Sequence, residues 1–234
     1  MKGVILCGGK GTRLYPLTHV TNKHLLPVYN KPMVYYPIET LIKAGIEEVL
    51  IVVGGPYAGH FLRVLKNGEE FGLKSLSYAY QDGSGGIAEA LALAEDFADG
   101  EGICVILGDN TTDADISQAV EDFDGGAHVF LKEVTDPERF GVPTIEGNDI
   151  IHIEEKPSLP ASNYAVTGLY LYDNDCFDFI SVLEKSDRGE LEVTDLNNAY
   201  INRGKLKYSI LNGFWTDAGK FETLFKASEN WSKK

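Results

Sequence analysis

The chain has 234 residues, 44% of them hydrophobic, and a formal net charge of −14. That length and composition supply a full core for one large domain or two small ones, while the acidity disfavours nucleic acid or an anionic membrane as partner, since either needs an extended basic face. Small anions remain open, because a local cluster of Arg, Lys and backbone N–H groups, or a divalent cation held by carboxylates, can serve them. No apolar run approaches the roughly 20 residues of a membrane span, and Met1 to Gly3 lead straight into a strand with no secretory leader, so a cytoplasmic location is expected. Cys7, Cys104 and Cys176 form an odd set with no C-x-x-C pair and read as small buried apolar residues.

The first predicted strand, Val4 to Cys7, runs into residues 8–13, "GGKGTR", where three glycines, a threonine and an arginine fall within six positions. A helix is expected over 32–45, with Pro32 at its tolerant first turn and Gly45 as its C-cap. Strands follow at Val49 to Val53 and Leu76 to Tyr80. A second helix is expected over 86–100, where Ile87, Leu91, Ala94 and Phe97 form one apolar stripe closed by Gly100. Ile103 to Leu107 is the fourth fully apolar strand. Such runs, alternating with amphipathic stretches, belong to parallel strands covered on both faces by crossover helices.

After about residue 125 the pattern changes. Residues 127–134, 141–147, 149–157 and 164–173 read as strands separated by turn residues, with little helix between them. Helical spacing returns at 174–185, 191–204 and 220–231, with one more strand at 205–213. The expected fold is α/β: a Rossmann-like, mostly parallel but mixed central sheet flanked by helices, in a single domain over 1–234. Its first half, about 1–125, is expected to bind the nucleotide, and its second, about 126–234, the other substrate.

A glycine loop leaving the C-terminal end of a parallel strand sits where open α/β sheets bind ligands, and glycines let backbone N–H groups approach a phosphate. Two familiar phosphate patterns are missing, however. G-x-x-x-x-G-K-[ST] is absent, and G-x-G-x-x-G would need glycine where Leu14 stands. That leaves either a plain tight turn or a phosphate nest of another type. The nearby cations Arg13 and Lys23 favour the nest, since they can neutralise a triphosphate and the charge that develops in phosphoryl transfer.

G-G-x-G-T-R-L at the loop, N-K-H-L-L-P-V at 22–28, G-D-N at 108–110, E-E-K-P at 154–157, Y-A-V-T-G-L-Y at 164–170 and W-T-D-A-G at 215–219 stand in this order. Together they resemble the sugar-1-phosphate nucleotidyltransferases over nearly the whole chain, and within that family most resemble the branch that transfers thymidylate to glucose 1-phosphate. The resemblance implies that a nucleoside triphosphate, dTTP or UTP, and a sugar 1-phosphate give a nucleotide sugar and pyrophosphate. Such in-line displacement needs positioning and charge compensation and no covalent intermediate.

Carried over residue by residue, the resemblance places Leu6, Gly8, Gly9, Gly11 and Thr12 around the triphosphate and base, with Arg13 and Lys23 as the catalytic cations. Gln81 would read the base through its amide and Gly86 would let the base lie against the chain. Asp109 and Asp217 would hold Mg2+. Asp109 follows a strand too apolar to keep a carboxylate inside, so it should stand at the strand's C-terminal edge; capping the next turn is the other reading. Glu155 would accept from sugar hydroxyls, Lys156 and Arg188 would meet the sugar phosphate, and Gly141, Val166 and Trp215 would shape the sugar pocket.

The sequence departs from the family's Q-P-x-P-x-G-L-A-Q-A, reading instead "QDGSGGIAEA" with Gly83, Gly85 and Glu89. A more flexible base loop is expected. His24 stands where many relatives carry glutamine and could touch phosphate. A homo-oligomer is expected from the family's habit. Longer members continue into further helices that help form a feedback site, so weak or no inhibition by a deoxysugar nucleotide is expected for a chain ending at Lys234. Two rivals are a sugar-nucleotide sensor without catalysis and a dinucleotide-dependent oxidoreductase; the four residues Arg13, Lys23, Asp109 and Asp217 argue against the first, and Leu14 in the fingerprint against the second.

Overall fold

The computed structural model describes residues 1–234. In chain order the strands and helices are β1 (Lys2–Cys7), β2 (Pro27–Val28), β3 (Lys31–Pro32), α1 (Tyr35–Lys43), β4 (Glu48–Gly54), α2 (Ala58–Leu65), β5 (Ser75–Gln81), α3 (Ile87–Ala92), α4 (Glu95–Ala98), β6 (Ile103–Leu107), β7 (Asn110–Thr112) and α5 (Ser117–Glu121). The second half adds β8 (Ala127–Glu133), β9 (Gly141–Glu146), β10 (Asp149–Glu155), β11 (Tyr164–Tyr172), α6 (Asp175–Ser181), α7 (Val193–Asn202), β12 (Leu206–Ile210), β13 (Trp215–Asp217) and α8 (Phe221–Trp231). No helix is long and apolar enough to cross a membrane.

The four apolar runs of the first half pair in parallel, in the order β6-β1-β4-β5. Their residues alternate between two cores, as the strand period of two requires. Val4, Leu6, Leu50 and Val52 face α3, α6 and α7, whereas Ile5, Cys7, Ile51 and Val53 face α1 and α2. Both faces of β1, β4 and β6 being covered explains why these three read as unbroken apolar runs, whereas the edge strand β5 carries an exposed Ser77 and leaves Tyr80 54% exposed. All three cysteines are buried and free.

β11 joins the halves into one nine-stranded mixed sheet. Along one edge it pairs antiparallel with β6 through Leu169 to Tyr172 and touches β9 at Val166, and along the other it pairs antiparallel with β8. β12 is parallel to β8, and β10 is antiparallel to β9. The β8 ladder skips between Val166 and Tyr170, a bulge centred on Gly168. There Asn110 enters: its Oδ1 accepts from Gly168 N at 3.0 Å, and a Cβ on Gly168 would lie 2.7 Å from its amide nitrogen. The glycine is thus required by close approach of a side chain.

Two expected helices have different limits. Pro32 lies in β3, whose pairing with β2 closes a hairpin first, and α1 starts three residues later. The helix expected over 86–100 divides into α3 and α4, because Ala94 N turns to Leu91 O at 2.9 Å in a tighter turn. The apolar stripe survives the break, with Leu91 and Ala94 fully buried.

Candidate active site

A cleft of about 750 Å3 opens at the C-terminal ends of β1 and β6 and runs under β11 to the start of α7. All the residues expected at a site border it except Gly11 and Thr12. Those two do other work. Gly11, at φ +64, turns the chain into the short helix Thr12–Leu14, and a Cβ there would lie 3.0 Å from Thr18 and 3.2 Å from Lys23. Thr12 is exposed on that turn. Leu14 is fully buried and Thr18 Oγ1 donates to Gly11 O at 2.8 Å, so the loop is anchored from below. Gly8 and Gly9 face the cleft.

Lys23 begins a single helical turn capped by Asn22, whose Oδ1 accepts from His24 N at 3.0 Å, while its Nδ2 donates to Cys7 O at the end of β1. The turn delivers the Lys23 ammonium 2.6 Å from Asp109 Oδ2. Burial would push the Asp109 carboxyl up, but Lys23 and the Asn110 amide overcome it and hold Asp109 well below the usual carboxylate range. His24 lies beneath, its ring against Asn22 Oδ1 at 2.7 Å. Burial, together with Lys23, lowers it to about 3, so the imidazole is a neutral floor to the site.

Asp109 and Asp217 are 108 positions apart and meet because β7 pairs antiparallel with β13, placing Asn110 opposite Asp217, and Ala218 N donates to Asp109 O at 2.7 Å. Asn110 locks this corner further, since its Oδ1 also accepts from Trp215 Nε1 at 2.7 Å. Burial, then the Asp109 charge, raise the Asp217 carboxyl, although Arg139 opposes them by donating to both its oxygens at 2.9 and 3.1 Å. Both carboxylates look onto Gly219, where a Cβ would sit 3.2 Å from Asp109 Oδ2, 3.9 Å from Asp217 Oδ2 and 3.4 Å from Arg13 Nη2. Two convergent carboxylates, one of them held up by burial and then by the other's charge, over a glycine that keeps the space open, fit a hard divalent cation completed by phosphate oxygens and water. No third His, Cys, Asp or Glu side chain joins them.

At the opposite end Glu155 accepts from Thr194 Oγ1 at 2.6 Å and pairs with Lys156 at 2.7 Å. Burial raises its carboxyl, but Lys156 and Thr194 prevail and lower it. Lys156 has left-handed backbone, φ 48, which costs a non-glycine residue about 1–3 kcal/mol. Its N–H donates to Phe140 O at 2.9 Å. Arg188 lies 2.7 Å from Glu192 and 3.4 Å from Glu155. Gly141 sits opposite Val166 in the sheet, leaving Thr194 and Glu155 room beside it. Trp215 packs edge-on against Phe140 and is nearly buried.

Gln81 ends the edge strand β5 yet is only 5% exposed. Its amide is drawn into the loop over α3, and Gly86, at φ +103, lies so close to Leu191 that a Cβ would fall 2.4 Å from its carbonyl oxygen. Arg139, Asn110, Thr194 and Lys220 also border the cleft and were missed in the sequence. Arg139 stands two residues before Gly141, a signal that proximity alone could have raised.

The chain belongs to the nucleotidyl transferase family, whose model matches residues 2–234; such enzymes generally use a divalent metal. Among its relatives, glucose-1-phosphate thymidylyltransferase from Neisseria meningitidis is 45% identical over 97% of this chain and 81% of its own length. The enzyme of that name from Xanthomonas campestris is 43% identical over 97% and 79%. A crystal structure from Bacillus anthracis, described as a glucose-1-phosphate thymidylyltransferase in complex with a sucrose, superposes with a TM-score of 0.94 at 50% identity, covering 98% of this chain and 94% of that one. A UDP-glucose pyrophosphorylase complexed with UDP-glucose gives 0.86 at 25% identity, covering 99% and 98%.

Proposed function

We propose that the protein transfers thymidylate from dTTP to glucose 1-phosphate, forming dTDP-glucose and pyrophosphate. The reading rests on one arrangement: Asp109 and Asp217 border the same cleft as the glycine loop, Arg13 and Lys23, and as Glu155, Lys156 and Arg188. In it, an oxygen of the sugar phosphate attacks the α-phosphorus as the bond to the pyrophosphate oxygen breaks on the far side. Lys23 and Arg13 would hold the triphosphate and meet the negative charge that grows on the departing pyrophosphate. Lys156 and Arg188 would exchange their carboxylate partners for the sugar phosphate and steer it in line. Glu155 would accept from sugar hydroxyls. Mg2+ on Asp109 and Asp217 would neutralise phosphate charge and orient the α-phosphoryl group.

Base selection would fall to Gln81, whose amide can meet the N3–H of thymine but opposes cytosine, which carries a lone pair there. The same amide cannot separate thymine from uracil, so UTP is the second reading. Pyrophosphate release from glucose 1-phosphate and Mg2+, with dTTP, UTP and CTP in parallel and Asp109→Asn as control, tests both. Preference for dTTP lost in the variant supports the proposal; preference for UTP selects the second reading. No turnover with any triphosphate, despite binding of a nucleotide sugar, would refute catalysis.

A further inference from the structure

We infer that Glu89 is a positioning residue for base selection: it fixes which end of the Gln81 amide faces the nucleotide, an inference that rests on Gln81 reading the base. Gln81 is nearly buried, and one end of its amide lies 3.1 Å from Glu89 Oε1 and 3.2 Å from Gly86 O. Both neighbours are pure acceptors, so the end they face must be the NH2. The other end, Oε1, is thereby turned toward Gly8, where a Cβ would come within 2.8 Å of it. Gly8 and Gln81 both border the cleft.

With its donors engaged on Glu89 and Gly86, Gln81 offers the ligand an acceptor alone. A base carrying N3–H, thymine or uracil, completes that bond, and cytosine brings acceptor against acceptor. Were the amide free to rotate, its NH2 would serve cytosine equally well. The discrimination therefore lies in Glu89 as much as in Gln81.

Glu89 is itself closely held. In the first turn of α3 its Oε1 also accepts from Gly85 N at 3.1 Å, and a carboxylate there is favoured by the helix N-terminus. The loop closes over it so tightly that a Cβ on Gly85 would collide with the carboxylate. Gly85 O in turn accepts from Leu191 N at 2.7 Å, and Leu191 O from Ala88 N at 3.1 Å, which keeps the loop in place against the segment before α7. The run "GSGG" thus serves a defined geometry. A Gln at position 89 would preserve it, since its single carbonyl oxygen can take both bonds that Glu89 Oε1 takes.

The test compares kcat/KM for dTTP and dCTP, with saturating glucose 1-phosphate and Mg2+, in Glu89→Leu, Glu89→Asp, Glu89→Gln and Gln81→Leu, each checked for folding by thermal melting. Glu89→Leu removes the acceptor, and Glu89→Asp keeps the charge but shortens the reach. In both, the dTTP/dCTP ratio should fall at least about tenfold, through KM for the triphosphate, while Glu89→Gln stays within about threefold of the unaltered protein. A ratio unchanged in Glu89→Asp and Glu89→Leu but lost in Gln81→Leu would overturn the inference and leave Glu89 a helix cap. A ratio unchanged in Gln81→Leu would remove Gln81 as base reader, and the inference with it.

Discussion

At the nucleotide end Lys23 and Asp109 face each other with side chains only 13% and 12% exposed, whereas at the sugar end Arg188 and Lys156 are 43% and 47% exposed and share the carboxylates of Glu155 and Glu192. Burial makes an ion pair strong only when both members stay, and removal of one leaves an uncompensated charge. Exposed pairs are screened and cheap to break. The first end is therefore a fixed electrostatic frame, set before any ligand arrives, and the second is a set of cations whose partners a phosphate can replace. On the proposed reading, the rigid end serves the chemistry and the labile one the exchange of substrate.

Four substitutions press on this contrast. Asp109→Asn should lower kcat/KM by about a thousandfold, because it removes charge where the reaction concentrates it; pyrophosphate release measures it, and a loss under tenfold would show that the frame is dispensable. Lys23→Met should cost about 3–5 kcal/mol in urea unfolding, since Asp109 is left buried alone, and a cost below 1 kcal/mol would dissolve the distinction between the ends. Arg188→Ala should raise KM for glucose 1-phosphate about tenfold and cost less stability than Lys23→Met, because the guanidinium is 43% exposed although its partner Glu192 is only 10% exposed. A stability loss equal to that of Lys23→Met would make the two ends alike.

The smallest effect concerns pH. His24 in the folded protein resists protonation down to about 3, whereas the unfolded chain takes the proton at its ordinary value of 6.5. Stability from this group is therefore complete above about 6.5 and declines as pH falls below it, by up to about 1.4 kcal/mol per pH unit. His128, lowered to about 4 mainly by burial in β8, adds in the same direction. Glu155, lowered in the folded state, keeps its contribution above the ordinary glutamate range and loses it only as pH falls through its own depressed value. Between pH 6.5 and 5 the decline thus belongs to the histidines and not to the sugar end. Urea midpoints for His24→Gln should show a shallower fall over that interval, and an unchanged slope would contradict the assignment.

The contrast between regions also governs what the sequence discloses. The interior parallel strands β1, β4 and β6 announce themselves through apolar runs, because burial on both faces leaves little room for polar residues. The second half is legible through its turns. What stays hidden is anything set by register between distant short segments. β7 and β13 are three residues each, too short for any period to mark them, yet they bring Asp217 to Asp109. The match to family motifs identified that pair where spacing could not. Arg139 carries no mark because its partner is 78 positions away, and α2 is a short eight-residue helix, AGHFLRVL, with a glycine at its second position. The division of 86–100 into two helices carries no sequence mark beyond a good stripe, since Leu91 and Ala94 face the core whether or not the backbone tightens between them.

The pairing of β7 with β13 also bears on how the protein comes into being. During synthesis the parallel sheet β6-β1-β4-β5 and its first crossover helices are available once residue 107 has emerged, and their contacts are comparatively local. The second carboxylate arrives more than a hundred residues later, so closing that loop is a long-range event that the earlier sheet must wait for. A chain paused before Trp215 would hold the glycine loop, Lys23 and Asp109 but lack the lock that Trp215 Nε1 places on Asn110. The corner that brings Asp217 to Asp109 is thus the part of the cleft that closes last, when β13 pairs with β7.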